Sequence, residues 1–514
     1  MNQMVPATKI TRANQSVGSQ LIRRAEEIRL AVNAGIDPTR RGPLGQFTTP
    51  PQVAGFMSSI FTCAYKHVRL LDPGAGTGAL TSAFVAGQIS RKKRPRTIMV
   101  TAYEVDAHMA TGLMDTLQAC EKACTEIGVS FAYDLRKTDY IRDRADRNKA
   151  LWSIDSDQYD AVIMNPPYHK INSGSLERKL LRDMGIEVSN LYAAFMLLAA
   201  RQLVHGGEFV SITPRSFCNG PYFRRFRREF FELIAVDRIH VYESRSETFR
   251  ADDVLQENII IHGTRDCLHE SEVTISKTVA GGGFEERAVC FDQIVRQDDP
   301  EQVIHVIADD RGDVVSERML ALRGTLDELG FTASTGRVVD FRAREHLREE
   351  ASDDTVPLIF PAHMKEGRVV WPNGQTRKPN AIVANSFTDD LLVDSGFYVL
   401  IKRFSAKEER RRIVAALYDP RAISTCRVGF DNKTNYIHTS GNGLPKDEAV
   451  GLTIYLNSSL VDEYFRLFSG HTQVNAADLK RLPYPTRKQL LTLARNCKSL
   501  SDQQLVDQAV DSLI

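Results

Sequence analysis

Asn165-Pro166-Pro167-Tyr168 is the stretch whose residue types most directly suggest chemistry. It follows Asp160-Ala161-Val162-Ile163-Met164, an apolar run that reads as a buried strand. Two prolines remove two backbone donors and stiffen the chain. A rigid loop at a strand's C-terminal edge is a sound place for a binding site. The Asn165 side-chain oxygen and the Pro166 carbonyl can both accept from one amino group, and Tyr168 offers a flat face for a planar ring. A turn without function would explain the prolines. It would not explain an amide and an aromatic flanking them after a buried strand.

A second stretch, Asp72-Pro73-Gly74-Ala75-Gly76-Thr77-Gly78, comes directly after Val68-Arg69-Leu70-Leu71. Glycines at a strand-to-helix turn let the backbone approach a ligand and aim amides at it; the same run also fits a plain tight loop. Its spacing is not that of the dinucleotide fingerprint, and the preceding acid suits a ligand that is not a pyrophosphate. Glu104 ends the strand-like run 97–104, where a carboxylate can accept from ribose hydroxyls. It lies farther along than the roughly 20 residues usual for that role, and the insert Arg91-Lys92-Lys93-Arg94 accounts for the excess. A solvated glutamate is the bland alternative. Asp139, after the third strand, is placed either to meet a ring amine or to cap a helix.

The elements that must carry these residues follow from periodicity. Leu21, Ala25, Ile28 and Val32 recur at helical spacing, and Gly35 with Pro38 ends that helix. Thr49 reads as an N-cap and Pro50 as a first-turn proline. The helix after them carries Val53, Phe56, Met57, Ile60, Phe61 and Ala64 on one face. Strand-like runs then fall at 68–72, 97–105, 129–135, 159–164, 208–213 and 237–241, with helical runs between them, the clearest at 191–204 and 223–234. Buried strands alternating with helices specify an α/β fold with a doubly wound, mostly parallel sheet. Residues 257–263 read as one more strand, antiparallel to its neighbour. Around Gly281-Gly282-Gly283 the alternation breaks down, and the rest reads as an α+β region. The expected division is a helical segment 1–45, a catalytic domain 46–270 and a second domain 271–514.

Composition narrows the class. The 514 residues carry 66 basic and 65 acidic side chains, a formal charge of +1, so nucleic-acid binding must rest on local patches. Candidate patches are Arg224, Arg225, Arg227 and Arg228; Arg377 and Lys378; Lys402 and Arg403; and Arg410 to Arg412, each also readable as a solvated face. Eight scattered cysteines give no zinc pattern, so no metal is expected and the thiols read as reduced. Neither a signal peptide nor an apolar run long enough for a membrane span is visible, so a cytoplasmic protein with no membrane partner is expected.

Taken in order, Gln46-Phe47-Thr48-Thr49-Pro50-Pro51, Asp72–Gly78 and Asn165–Tyr168 resemble the motifs of adenine-N6 DNA methyltransferases of type II restriction–modification systems. The order looks like the gamma, TaqI-like class, and the long C-terminal half looks closest to PstI- or XhoI-type modification enzymes. The likeness continues in Asn190-Leu191-Tyr192-Ala193-Ala194-Phe195, His205-Gly206-Gly207 and Thr213-Pro214, and returns in Ser469–Asn475 with Asp478-Leu479 and Pro483. Where the family's glycine turn has Ala or Cys, this chain has Gly74, a conservative departure.

The resemblance implies the class I fold of methyltransferases that use S-adenosyl-L-methionine (SAM), with a C-terminal target-recognition domain. It implies cofactor contacts from Phe47, Thr48, Thr49 and Pro50, from Asp72, Pro73, Gly74, Ala75 and Gly76, and from Glu104, Val105 and Asp139. Asn165, Pro166, Pro167 and Tyr168 would act on an adenine flipped out of double-stranded DNA. Tyr168 would stack on one face of that base. Phe249 is the candidate for the other face, with Tyr242 its rival and a buried structural role the alternative. The partners implied are duplex DNA and, genetically rather than physically, a cognate restriction endonuclease; a monomer is expected, a dimer being the alternative. Other planar amines (an RNA base, cytosine N4 or a protein glutamine) would suit the same Asn-Pro-Pro-Tyr loop. A catalytically silent module that only binds SAM and DNA is the reading from another class.

Overall fold

The computed structural model describes residues 12–35, 48–149, 157–242, 258–269, 271–278, 283–374, 377–405, 409–423, 425–470 and 472–514. The chain divides into two compact units, Met1–Cys218 with Tyr222–Ala308, and Asn219–Pro221 with Asp309–Ile514.

The first unit is built on nine strands: β1 (His67–Pro73), β2 (Thr97–Tyr103), β3 (Ser130–Arg136), β4 (Tyr159–Met164), β5 (Leu203–Pro214), β6 (Ile234–Tyr242), β7 (Asn258–Arg265), β8 (Glu272–Thr278) and β9 (Phe284–Cys290). Their spatial order is β3-β2-β1-β4-β5-β7-β6-β8-β9. The five strands from β3 to β5 are parallel, and β7 runs antiparallel to both β5 and β6. This is the doubly wound class I methyltransferase arrangement. The strand read at 257–263 is antiparallel to its neighbours, as expected, and lies between β5 and β6.

Both faces of the sheet are covered, which is why its strands read as nearly continuous apolar runs. Leu70, Ala161 and Ile163 face one way, toward helices α1 (Arg12–Ala34), α2 (Pro51–Ser59), α3 (Ala79–Ser90) and α4 (Ala107–Glu126). Leu71, Val162 and Met164 face the other way, toward α5 (Tyr140–Lys149), α6 (Leu176–Asp183), α7 (Leu191–Arg201) and α8 (Arg224–Leu233). Helix α1 is therefore part of the first unit: Val17 and Leu21 belong to its core, whereas the sequence reading set residues 1–45 apart.

Two further boundaries moved. The run read as helix to Val204 stops at Arg201, and β5 begins at Leu203, paired with Tyr159; apolar periodicity cannot separate a last helical turn from a first buried strand residue. The sheet also continues past residue 270 through β8 and β9, and the unit runs to Ala308. Gly281 and Gly282 lie outside the described residues, and β9 begins directly after Gly283, so the sheet continues past this point.

The second unit is α+β, as read. One sheet orders Thr332–Thr335, Thr434–His438, Tyr398–Lys402, Ala415–Tyr418, Arg368–Val369 and Met364–Lys365, and another orders Leu347–Arg348, Ala381–Val383, Thr355–Ile359, Arg427–Phe430 and Leu392–Asp394. Tyr398, Tyr418, Phe430 and Tyr436 form an aromatic core.

Candidate active site

Register brings the chemistry-bearing residues together. Parallel pairing sets Pro73 beside Tyr103, so the glycine turn leaves the sheet next to Glu104. Pairing of Leu71 with Val162 sets the Asn165 loop three residues further on, alongside Gly74. These C-terminal strand ends open on a cavity of about 470 Å³, a volume in the range of small-molecule sites. Of the expected residues, Thr48, Thr49, Gly74, Ala75, Gly76, Glu104, Val105, Asp139, Asn165 and Pro167 line it.

The glycine turn is shaped by left-handed backbone at Gly76 (φ 59°) and Gly78 (φ 85°). A Cβ on Gly78 would stand 2.9 Å from both Leu113 and Thr116, so α3 can start against α4 only with glycine there. A Cβ on Gly76 would meet nothing within 4 Å, since it would project into open space. Glu104 braces the turn. One of its oxygens accepts from the Gly76 amide at 2.9 Å and the other from the Asp106 amide at 2.8 Å. Burial pushes its carboxyl above the ordinary range. Each oxygen keeps a second lone pair for a ligand hydroxyl.

Asn165 is held at both ends of its amide. Its Nδ2 donates to Thr49 Oγ1 at 3.1 Å, and the Tyr168 hydroxyl donates to its Oδ1 at 2.7 Å. Thr49 is free for this because it does not cap α2, as the sequence reading had it. Pro50 is the cap residue, with Pro51 in the first turn and no side-chain cap bond. Next to it, Thr48 Oγ1 accepts from Arg29 and Asn33 of α1, at 3.0 and 2.8 Å. Helix α1 thus anchors the lip of the cavity that reaches Asn165.

The remaining expected residues stand elsewhere. Asp72 is fully buried behind the turn, where Thr81 Oγ1 donates to it at 2.6 Å. Burial pushes its carboxyl up to about 7, and Oδ1 has no partner among the described residues. Pro73 ends β1, and Pro166 is buried beside Asn165. Asp139 caps α5, accepting from the Arg142 amide at 2.9 Å, and lines the cavity as well, so its two readings coexist. Tyr168 lies behind Asn165, edge-on to Tyr192 at 6.4 Å. Burial, with Tyr242 nearby, keeps its hydroxyl protonated. Tyr242 ends β6. Phe47 and Phe249 lie outside the described residues.

Sequence reasoning assigned no role to Met109, Leu191 or Phe195, which give the cavity its apolar wall. Phe195 stands over the glycine turn, 3.7 Å from where a Gly74 Cβ would be. Helix α7 is apolar all round and buried, so nothing in its pattern separates a wall residue from a core residue.

Part of the basic clusters turns inward, whereas Arg224, Arg228, Arg377 and Arg410 are exposed. Arg227 is fully buried and donates to the Phe217 and Glu301 carbonyls. Arg412 is 2% exposed and donates to Ser405 and Ser469, while Arg411 donates to the carbonyls of Asn457 and Ser458. Arg225, Lys378 and Lys402 are engaged by Glu187, Asp340 and Glu409. Phe430 and Tyr436, on the strands Arg427–Phe430 and Thr434–His438, fill the core of the second unit.

Residues 104–249 match the model of the Eco57I restriction-modification methylase family. Across most of its length the chain is 42% identical to the type II methyltransferase M.PstI of Providencia stuartii, over 471 residues that make up 91% of this chain and 92% of that one. It is 39% identical to the type II methyltransferase M.BsuBI of Bacillus subtilis, over 482 residues, 93% of this chain and 94% of that one. With glycine turn, acid and Asn-Pro-Pro-Tyr loop around one cavity, and with likeness of this extent, the chain belongs to the type II restriction–modification methyltransferase family.

Proposed function

We propose that this protein transfers a methyl group from SAM to the exocyclic N6 of an adenine in duplex DNA, at one defined sequence, and so protects that sequence from a cognate endonuclease in the cytoplasm. The observation that carries the reading is the Asn165 amide, fixed by Thr49 and Tyr168 on the wall of the cavity that also holds Glu104 and the glycine turn. The residues fit the cofactor. Gly76 leaves space for a ligand against the backbone, Glu104 is a carboxylate for ribose hydroxyls, and Met109, Leu191 and Phe195 suit a purine. Bound there, SAM supplies an electrophilic methyl on a sulfonium that departs as a neutral thioether.

The protein's part is positioning and polarisation. An adenine amine is a poor nucleophile because its lone pair is delocalised into the ring. Asn165 Oδ1 and the Pro166 carbonyl, accepting its two hydrogens, draw the nitrogen toward pyramidal geometry and localise the pair. Oδ1 accepts from the Tyr168 hydroxyl, which fixes the orientation of the amide that is to meet the amine. Neutral dipoles fixed before the reaction cost no reorganisation during it. The base must leave the stack to reach this site, at a cost of a few kcal/mol, and the Tyr168 ring offers it a face. The second unit is assigned the choice of DNA sequence.

The test is incubation with methyl-labelled SAM and genomic duplex DNA, followed by nucleoside analysis and mapping. Label is expected on N6-methyladenine in a single sequence context. Label on cytosine N4, on RNA or on protein would overturn the substrate, and no transfer to any of them would overturn the activity.

A further inference from the structure

Arg227 and Arg412 of the basic clusters are spent on buried partners, and one surface of the second unit combines exposed arginines with exposed aromatic rings. It is the segment from Arg337 to Arg348, which carries four arginines against Asp340 and Glu345. The segment is rigid. Val338 exchanges backbone hydrogen bonds with Phe430 and Asn432, at 3.0 and 2.8 Å. A tight turn follows, in which the amides of Arg342 and Ala343 both donate to the Val339 carbonyl. Asp340 closes that turn by accepting from the Phe341 amide at 2.9 Å. Its other oxygen holds Lys433 at 2.6 Å and Lys378 at 3.5 Å, and the Lys433 hydrogen bond keeps its carboxyl below the ordinary range.

What this frame presents to solvent is unusual. Phe341, at the tip, is 72% exposed, with the Arg342 guanidinium 5.6 Å from its ring centre. Neither Arg342 nor Arg344 has an ion-pair partner among the described residues. The neighbouring turn at 385–391 meets the segment twice, where Arg337 donates to the Asp390 carbonyl and where the Phe387 ring stacks on His346. Phe387 is itself 81% exposed. A single exposed phenylalanine needs no explanation. Phe341 beside the unpaired Arg342 guanidinium, with Phe387 stacked on His346 in the adjoining turn, has the composition of a polyanion surface with stacking platforms, bounded on that side by Asp389 and Asp390.

We propose that the segment from Arg337 to Arg348 is the face by which the second unit engages duplex DNA, with Arg342 and Arg344 on backbone phosphates and Phe341 against the bases between them. The proposal rests on the reading of this protein as a DNA methyltransferase and names residues through which that substrate is held. Asp340 is a positioning residue: it fixes the turn that aims Phe341 outward and keeps two lysines alongside. Acids resume at Glu349 and Glu350 and mark the edge of the surface.

The experiment uses the full chain, saturated with cofactor product, and a labelled duplex carrying the sequence that the wild-type protein methylates, titrated at several salt concentrations. Removing one arginine from a phosphate should reduce the slope of log affinity against log salt by about 0.9, so the double variant Arg342→Ala/Arg344→Ala should reduce it by about 1.8. Phe341→Ala should weaken binding of that duplex roughly 10- to 100-fold with the slope unchanged, and Phe341→Trp should restore it. Cofactor affinity, measured by calorimetry without DNA, should stay at the wild-type value in all three variants. If the wild type methylates DNA but the double variant keeps its slope and Phe341→Ala binds within twofold, this face is wrong and the methyltransferase reading stands. Variants that change self-association in sedimentation and leave DNA affinity alone would assign the surface to a second copy and overturn the proposal. A wild-type chain that neither binds nor methylates duplex DNA overturns both.

Discussion

At the scale of single residues, the proposed catalysis turns on how one amide is held. Asn165 meets Thr49 with its nitrogen and Tyr168 with its oxygen, so the side chain is fixed before substrate arrives. Asn165→Ala should lower kcat by about 10²- to 10³-fold, as loss of one preorganised group does elsewhere, while affinities for cofactor and DNA stay within a few-fold. The sequence alone suggests that Tyr168→Phe is mild, because the ring survives. The structure adds a hydrogen bond worth about 0.5–1.5 kcal/mol, so the substitution should cost a further few-fold in kcat and nothing in KM. Tyr168→Ala should be worse, since stacking contributes roughly 1–3 kcal/mol per base. Single-turnover rates compared with equilibrium binding would separate these effects, and a Tyr168→Phe variant with weakened DNA binding but a normal rate would contradict the hydroxyl's assignment.

At the scale of elements, the first unit is fastened by a buried charge cluster away from the cavity. A bulge in β6, between Val236 and Arg238, sends Asp237 toward His262 of β7, whose other nitrogen meets Glu208 of β5 at 3.1 Å. Glu208 also accepts from Tyr65 and from the amides of Thr62 and Cys63, which ties the α2–β1 connection to the sheet. Burial pulls the His262 imidazole down, but its two carboxylate partners outweigh it and hold the group up to about 9. Burial likewise pushes Glu208 up, and the hydrogen bonds it collects outweigh that and hold it down to about 2.

The signs follow from those values. A raised histidine contributes fully below its ordinary 6.5, and that contribution is lost as pH rises through about 9. A depressed glutamate contributes above its ordinary 4.5, and its contribution is lost as pH falls toward 2. Stability should therefore decline between pH 6.5 and 9.5, and His262→Gln should flatten that decline while lowering stability at pH 6 by about 3–5 kcal/mol. Urea midpoints across this range would check it, and equal alkaline slopes in the two proteins would sink the assignment.

At the scale of the whole molecule, the arginines divide into those that hold a unit together and those that face solvent, and chain position does not predict the division. Arg412 sits in an obvious basic run, yet it is buried over the Phe465 ring, 5.4 Å from its centre, with its own amide bonded to Asp462. Arg412→Ala should lower the thermal midpoint, since it removes the guanidinium from the buried Ser405 and Ser469 hydroxyls, at about 1–3 kcal/mol for each group left unsatisfied. It should leave the salt dependence of DNA binding unchanged. A flattened salt slope in a variant of normal stability would return Arg412 to the DNA surface.

The sequence by itself determined the doubly wound sheet and the site at its C-terminal edge. The residues responsible, 68–78, 97–104 and 160–168, are contiguous in the chain, and each local pattern is explained by its own strand and turn. It also singled out Asn165 as the candidate amine acceptor, because an amide and an aromatic flanking two prolines after a buried strand are not explained by a plain turn. Only the tertiary structure decided that Thr49 serves Asn165 rather than capping α2, and that α1 anchors the cavity's lip. It alone showed that Phe195 walls the cavity, and that Arg227 and Arg412 are interior. The physical reason is the same in each case. A hydrogen bond between residues 49 and 165, or a guanidinium satisfied by distant carbonyls, depends on which elements pack together. Periodicity fixes the face of an element but carries no record of its partner.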